Sequence, residues 1–228
     1  MKRSEIEEAI VWAKALLAER RFCLPPFGQW TLGDWRANYG AAESVRRLML
    51  GWDVTDYGMG DFAAVGSILF TLRNGDLHDR SLGTPYAEKV IPVMDGQRLP
   101  MHYHAMKTED IINRGGGLMH IALWNALADG GVDGGADVRV FVDGILRTVK
   151  PGEELLLAPG SSISLTPRLY HIFGAKQGTG PVLVGEVSSV NDDNTDNYFY
   201  EKVLRFTEIE EDVPLTVPLC NEYDRALG

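Results

Sequence analysis

Gly96-Gln97-Arg98-Leu99-Pro100-Met101-His102-Tyr103-His104-Ala105-Met106-Lys107-Thr108-Glu109 is the most informative stretch of this chain. Residues two apart on a strand face the same side, so His102 and His104 project together. Imidazole is the commonest ligand of first-row transition metals. Glu109 follows His104 by five residues. That offset allows a turn or bulge and a return on the next strand, which brings a carboxylate beside the two rings. Gly96 stands before the pair and Gly116 after Glu109. A solitary His-x-His carries little information. The pair with Glu109 and both glycines carries much more.

A fourth ligand has to come from elsewhere. The chain has five histidines: His78, His102, His104, His120 and His171. His171 lies well downstream on an expected strand and is the natural candidate. His78 sits in the polar loop Gly75-Asp76-Leu77-His78-Asp79, where exposure is expected. His120 alternates with apolar neighbours and reads as a hydrogen-bonded interior residue. Three imidazoles and one carboxylate leave open positions on an ion that prefers six ligands, such as Mn²⁺.

Working outward, short β-branched and aromatic runs predict strands over 67–72, 90–94, 118–124, 138–142, 145–149, 154–157, 163–166, 170–173 and 182–190. Asp143-Gly144 joins two of them as a two-residue hairpin. Short strands at close spacing indicate an antiparallel sandwich or barrel. Ahead of them, Ile6, Ile10, Ala13 and Leu17 fall at helical spacing. Ser4 and Glu7 read as a capping box for that helix, and Pro25-Pro26 stops it. A short helix is expected within 42–50. The expected organisation is one domain over 1–228, with a helical N-terminal elaboration (1–65), a β-barrel core (66–190) and a C-terminal extension packed on it (191–228).

The net charge is −10 over 228 residues, and no dense Lys/Arg run is present. Such a surface repels phosphate backbones and anionic lipid, so nucleic-acid binding is not expected. Acidic residues interrupt the apolar runs of the N-terminus, which does not read as a signal peptide. No stretch approaches the ~18 apolar residues of a membrane span. A cytoplasmic location is expected, with Cys23 and Cys220 as reduced thiols.

Gly96, His102, His104, Glu109 and Gly116 resemble the first motif of the cupin superfamily. Gly152, Pro159, Gly160 and His171 follow in the order of the second, although Pro159 and Gly160 are adjacent and His171 lies further on. The run 101–117 and the run 185–197 resemble the D-lyxose ketol-isomerase family more closely. The resemblance implies a mainly β fold, a cupin-type antiparallel barrel (jelly-roll) holding Mn²⁺ in its mouth. It also implies a homodimer that interconverts D-lyxose with D-xylulose and D-mannose with D-fructose.

Aldose–ketose isomerisation needs a base to carry a proton between C1 and C2 by way of an enediolate. Glu186 is the first candidate. It lies inside the apolar run 182–187, where a carboxylate is costly without a partner or a task. An apolar wall there is expected to raise its pKa. Glu201 is a second candidate. Lys107 is placed to donate to a developing oxyanion. Asp192, Asp193 and Asp196, with Glu201, are candidates for binding sugar hydroxyls. The rival readings are an iron or nickel dioxygenase, a phosphosugar isomerase using Arg114 or Arg168, and a metal-containing sugar-binding module.

Overall fold

The computed structural model describes residues 1–192 and 195–227. The first half of the chain supplies strands β1 (Gly51–Thr55), β2 (Ser67–Gly75), β3 (Gly83–Val93), β4 (His102–Tyr103), β5 (Glu109–Gly116), β6 (Met119–Ala126) and β7 (Val132–Asp133). The second half supplies β8 (Val138–Val142), β9 (Ile145–Val149), β10 (Leu155–Leu157), β11 (Ser162–Leu165), β12 (Leu169–Ala175), β13 (Val182–Ser189) and β14 (Tyr198–Phe199). Helix α1 (Arg3–Glu19) precedes them. The short helices α2 (Leu32–Ala37) and α3 (Glu43–Arg47) follow α1, and α4 (Tyr223–Leu227) comes last.

Two antiparallel sheets result. One runs β1-β2-β3-β13-β5-β11-β8-β9, the other β10-β6-β12-β4-β14, with β7 added beside β6. Their facing sides form the main core. Ile91, Ile111, Ile163 and Val184 come from the first sheet, and Met119, Ile121, Leu123 and Phe173 from the second. Period-two alternation along β6 and β13 sends these residues inward and their neighbours outward.

The outer face of the first sheet is covered as well. Ile6, Ile10, Ala13 and Leu17 of α1 pack on Trp52, Val54, Ile68, Phe70 and Val90. Residues 51–55, read from the sequence as part of the N-terminal elaboration, are therefore a strand paired with β2. All five are buried, so the strand has no polar alternation to betray it.

The helix start also differs from the expected capping box. Helix α1 begins at Arg3, and Glu5 accepts the Lys2 N–H at 2.7 Å. Ser4 and Glu7 turn instead to the C-terminal extension. Ser4 Oγ donates to Asp212 at 2.7 Å, and Glu7 accepts the Thr216 N–H at 2.8 Å. The fully buried Arg3 is clasped from the same side by Glu211 and Glu222. Tertiary partners, not the local motif, decide this terminus.

Gly116 illustrates how tightly the barrel closes at the end of β5 away from Glu109. It has φ +107°, and a Cβ there would lie 2.1 Å from the Pro181 carbonyl oxygen. Only glycine fits such an approach. Among the described residues no helix is long and apolar enough to cross a membrane, and no disulfide joins exposed Cys23 to buried Cys220.

Candidate active site and metal centre

Strand β4 is only two residues long, yet it sets the site. It lies between β12 and β14, and His102 is paired directly with His171 on β12. His104 follows just past the strand end. The three rings converge, with centroids 4.2 Å apart for His102–His171 and 5.2 Å for His102–His104. One ligand nitrogen from each of the three lies within 4.8 Å of the others.

Each ring is oriented from behind by a backbone carbonyl. Nδ1 faces Pro100 O at 2.8 Å on His102, Asp196 O at 2.5 Å on His104 and Leu169 O at 3.1 Å on His171. A carbonyl only accepts, so each Nδ1 carries the proton and donates it. That tautomer leaves each Nε2 as a lone pair, which is what a metal ligand requires. Burial also keeps the rings neutral. It pushes His102 well below the ordinary imidazole range, lowers His171, and holds His104 at about 4.

Glu109 on β5 closes the fourth side. Its Oε1 lies 3.3 Å from His171 Nε2 and 3.6 Å from His104 Nε2. Burial opposes the charge on Glu109, but the Lys107 ammonium at 2.8 Å outweighs it, and the carboxyl stays well below the usual range. An ionised oxygen thus faces lone pairs of neutral imidazoles. Glu109 Oε1 and His171 Nε2 are fully buried and have no hydrogen-bond partner. Buried polar atoms without partners are costly. A divalent cation among these four side chains would satisfy both, and the donor set of three nitrogens and one carboxylate oxygen suits one.

Glu186 on β13 and Lys107 line the same cavity as the four side chains. Lys107 Nζ donates to Glu186 Oε1 at 2.9 Å. Burial does push the Glu186 carboxyl upward, as the sequence suggests. The Lys107 and Lys89 ammonium groups more than offset it, and the net shift is downward. The expectation of a raised pKa is thus corrected, because the wall is not purely apolar. Lys107 itself is raised: burial opposes its charge, and the Glu109 and Glu186 carboxylates overcome that.

The remaining candidates fall elsewhere. The Asp196 carboxylate accepts the N–H groups of Ala105, Met106 and Lys107 at 2.7, 3.0 and 3.0 Å. It clamps the loop between the His pair and Glu109, and does not line the cavity. Asp192 accepts the Thr195 N–H at 3.2 Å and lines a separate surface cavity with Asn74, Asp76 and His78. Glu201 is exposed. Asp193 lies outside the described residues. His120 turns outward, 3.8 Å from Glu154, because Met119 and Ile121 take the inward positions. Arg114 and Arg168 do not line the cavity; Arg205 does, bonded to Asp53 at 2.6 Å.

Lys89, Asn191, Asn197, Phe199 and Arg205 belong to the site or its support and were not singled out from the sequence. Lys89 had a signal. It shares the inward parity of Ile91 and Val93 along β3.

The family model described as D-lyxose isomerase matches residues 1–223. The D-lyxose/D-mannose isomerase of Escherichia coli O157:H7 is 46% identical, over 98% of each chain. That of Serratia proteamaculans is 44% identical over 100% of each. Among solved structures, the L-ribose isomerase of Acinetobacter sp. DL28 in complex with L-ribose is similar with TM-score 0.60 and 16% identity, over 92% of this chain and 98% of that one. The L-ribose isomerase of Cellulomonas parahominis gives 0.56 and 17% over the same shares. These two likenesses establish the fold, a mainly β, cupin-type antiparallel barrel. By its match along nearly the whole sequence, the chain belongs to the D-lyxose isomerase family of sugar isomerases.

Proposed function

We propose that this enzyme interconverts D-lyxose with D-xylulose and D-mannose with D-fructose, with one divalent cation, Mn²⁺, held by His102, His104, Glu109 and His171. The reading rests above all on the two partnerless buried atoms, Glu109 Oε1 and His171 Nε2, set in one cavity with an ionised Glu186. When bound, such a cation supplies Lewis acidity toward the oxygens of an open-chain sugar.

The chain's own groups account for the proton movements. Glu186 takes the C2 proton of the aldose, the C–H electron pair becomes the C1–C2 double bond, and the C1=O π pair moves onto O1 to give the enediolate. Glu186 then returns the proton to C1 on the electron pair of that double bond, while the O2 hydroxyl proton passes to O1 and the O2–H pair becomes the C2=O bond of the ketose. Its depressed pKa keeps it ionised before the step and favours return of the proton. Lys107, fully charged, supplies positive charge beside the place where the oxyanion develops. Leu69, Ile91 and Phe199 wall the cavity with apolar surface.

Binding of the phosphorylated analogue has less support, since Arg114 and Arg168 lie outside the cavity. Mn²⁺-loaded protein incubated with matched free and phosphorylated sugars, with and without oxygen, tests the proposal. Turnover of D-lyxose and D-mannose, independent of oxygen, is expected. Preference for phosphorylated sugars, or a requirement for oxygen, overturns it. A cytoplasmic homodimer completes the reading, and sedimentation of the purified protein checks the dimer.

A further inference from the structure

Glu186 is held by two lysines at one and the same oxygen. Lys107 Nζ lies 2.9 Å from Oε1, and Lys89 Nζ lies 3.3 Å from it. Oε2 accepts no hydrogen bond from any described residue, and Glu186 lines the cavity.

The two lysines are not equivalent. Lys107 is shared, since its Nζ also sits 2.8 Å from Glu109. Among the described residues, Lys89 has Glu186 as its only carboxylate partner within ion-pair distance. It is 4% exposed and stands directly opposite Glu186 across the β3–β13 ladder. A buried ammonium is costly unless it is paired. Asn191 supplies the remaining anchor. Its Oδ1 accepts from Lys89 Nζ at 2.7 Å and from Lys107 Nζ at 3.3 Å. Asn191 is fixed in turn by Asn74, which accepts its N–H and donates to its carbonyl, both at 3.0 Å.

We propose that Lys89 is a positioning residue for Glu186: with Lys107 and Asn191 it pins Oε1, so that Oε2 alone is presented to the sugar carbons. This rests on the reading of Glu186 as the proton carrier. A carboxylate pinned at one oxygen cannot rotate, and the proton it takes from C2 stays on the oxygen that faces C1. Without Lys89 the group can swing about Lys107, and its proton has time to exchange with water.

The test compares wild type, Lys89→Met, Lys89→Gln, Glu186→Gln and the double variant Lys89→Met/Glu186→Gln, all loaded with Mn²⁺ and checked for metal content and thermal midpoint. Substrate deuterated at C2 reports how much label reaches C1 and how much is lost to solvent. Loss of Lys89 is expected to lower kcat by about 100-fold, the usual consequence of misplacing a catalytic group by an ångström. KM is expected to hold within about twofold, and the share of label lost to solvent to rise. In the Glu186→Gln background the Lys89 change should add less than about twofold. Measuring Lys89→Gln beside Lys89→Met keeps the test standing if one of them misfolds. Unchanged kcat and label transfer in a folded Lys89 variant, with Glu186→Gln inactive, overturns the Lys89 proposal alone. So does an equal loss in both backgrounds. Near-normal turnover by Glu186→Gln overturns the proton-carrier reading and this inference with it.

Discussion

His171 on β12 is paired directly opposite His102 on β4, and their rings stand 4.2 Å apart. The register of one ladder therefore delivers the imidazole of residue 171 to the pair at 102 and 104. His171→Gln is expected to lower Mn²⁺ affinity by more than the ~10–100-fold that follows loss of a hydrogen-bond partner behind a ligand. Calorimetric titration of the stripped protein reads this, and the volume of the core changes little.

Glu186→Gln keeps the shape of the side chain and removes its charge. Metal content should stay at wild-type level, since Glu186 is neither one of the three converging histidines nor Glu109, the proposed fourth ligand. Turnover should fall by about 10²–10⁴-fold, the usual contribution of a positioned acid–base group. Metal analysis and steady-state kinetics on one preparation separate the two effects.

Asp196 works through the backbone. Its carboxylate gathers three N–H groups of the 105–107 loop, and its carbonyl orients His104. Asp196→Ala strips those donors of their acceptor and should cost about 1–3 kcal/mol of stability. Asp196→Asn, which keeps one carbonyl oxygen, should cost less. Thermal unfolding of both variants checks the order.

The histidines also give the apoprotein a pH dependence of definite sign. Burial holds His104 at about 4 and lowers His102 and His171, against an ordinary value near 6.5. Between those limits the unfolded chain binds more protons than the folded one, so stability rises with pH. The stabilisation is complete above about 6.5 and is lost as pH falls toward 4. Glu109 and Glu186, both lowered, extend the loss further into acid. Chemical unfolding of metal-free protein at pH 7, 6 and 5 should show a steady decline. A flat profile contradicts the neutral, inward-facing histidines.

Much of the centre was legible in the chain. The period of two along a strand puts His102 beside His104, and the offset to Glu109 allows a return strand. Parity along β13 then turns Glu186 inward. What stayed hidden depends on contacts distant in sequence. Asp196 looks like a hydroxyl-binding residue until the fold shows its carboxylate filled by N–H groups 89 to 91 positions away. The Glu186 environment looks apolar along its own strand; Lys107, from the loop after β4, and Lys89, from the neighbouring strand, together reverse the direction of its shift. Strand β1 escaped because both its faces are covered. The Ser4–Glu7 motif misled because the C-terminal extension takes both side chains.

In the proposed reading, three imidazoles and one carboxylate enclose a single divalent cation. Anomalous diffraction at the manganese edge, from crystals grown with Mn²⁺, is the decisive measurement. One strong peak is expected within bonding distance of His102, His104 and His171 Nε2 and of Glu109. Ordered Mn²⁺ bound only elsewhere, with those four side chains left as a cluster without a peak, would contradict it.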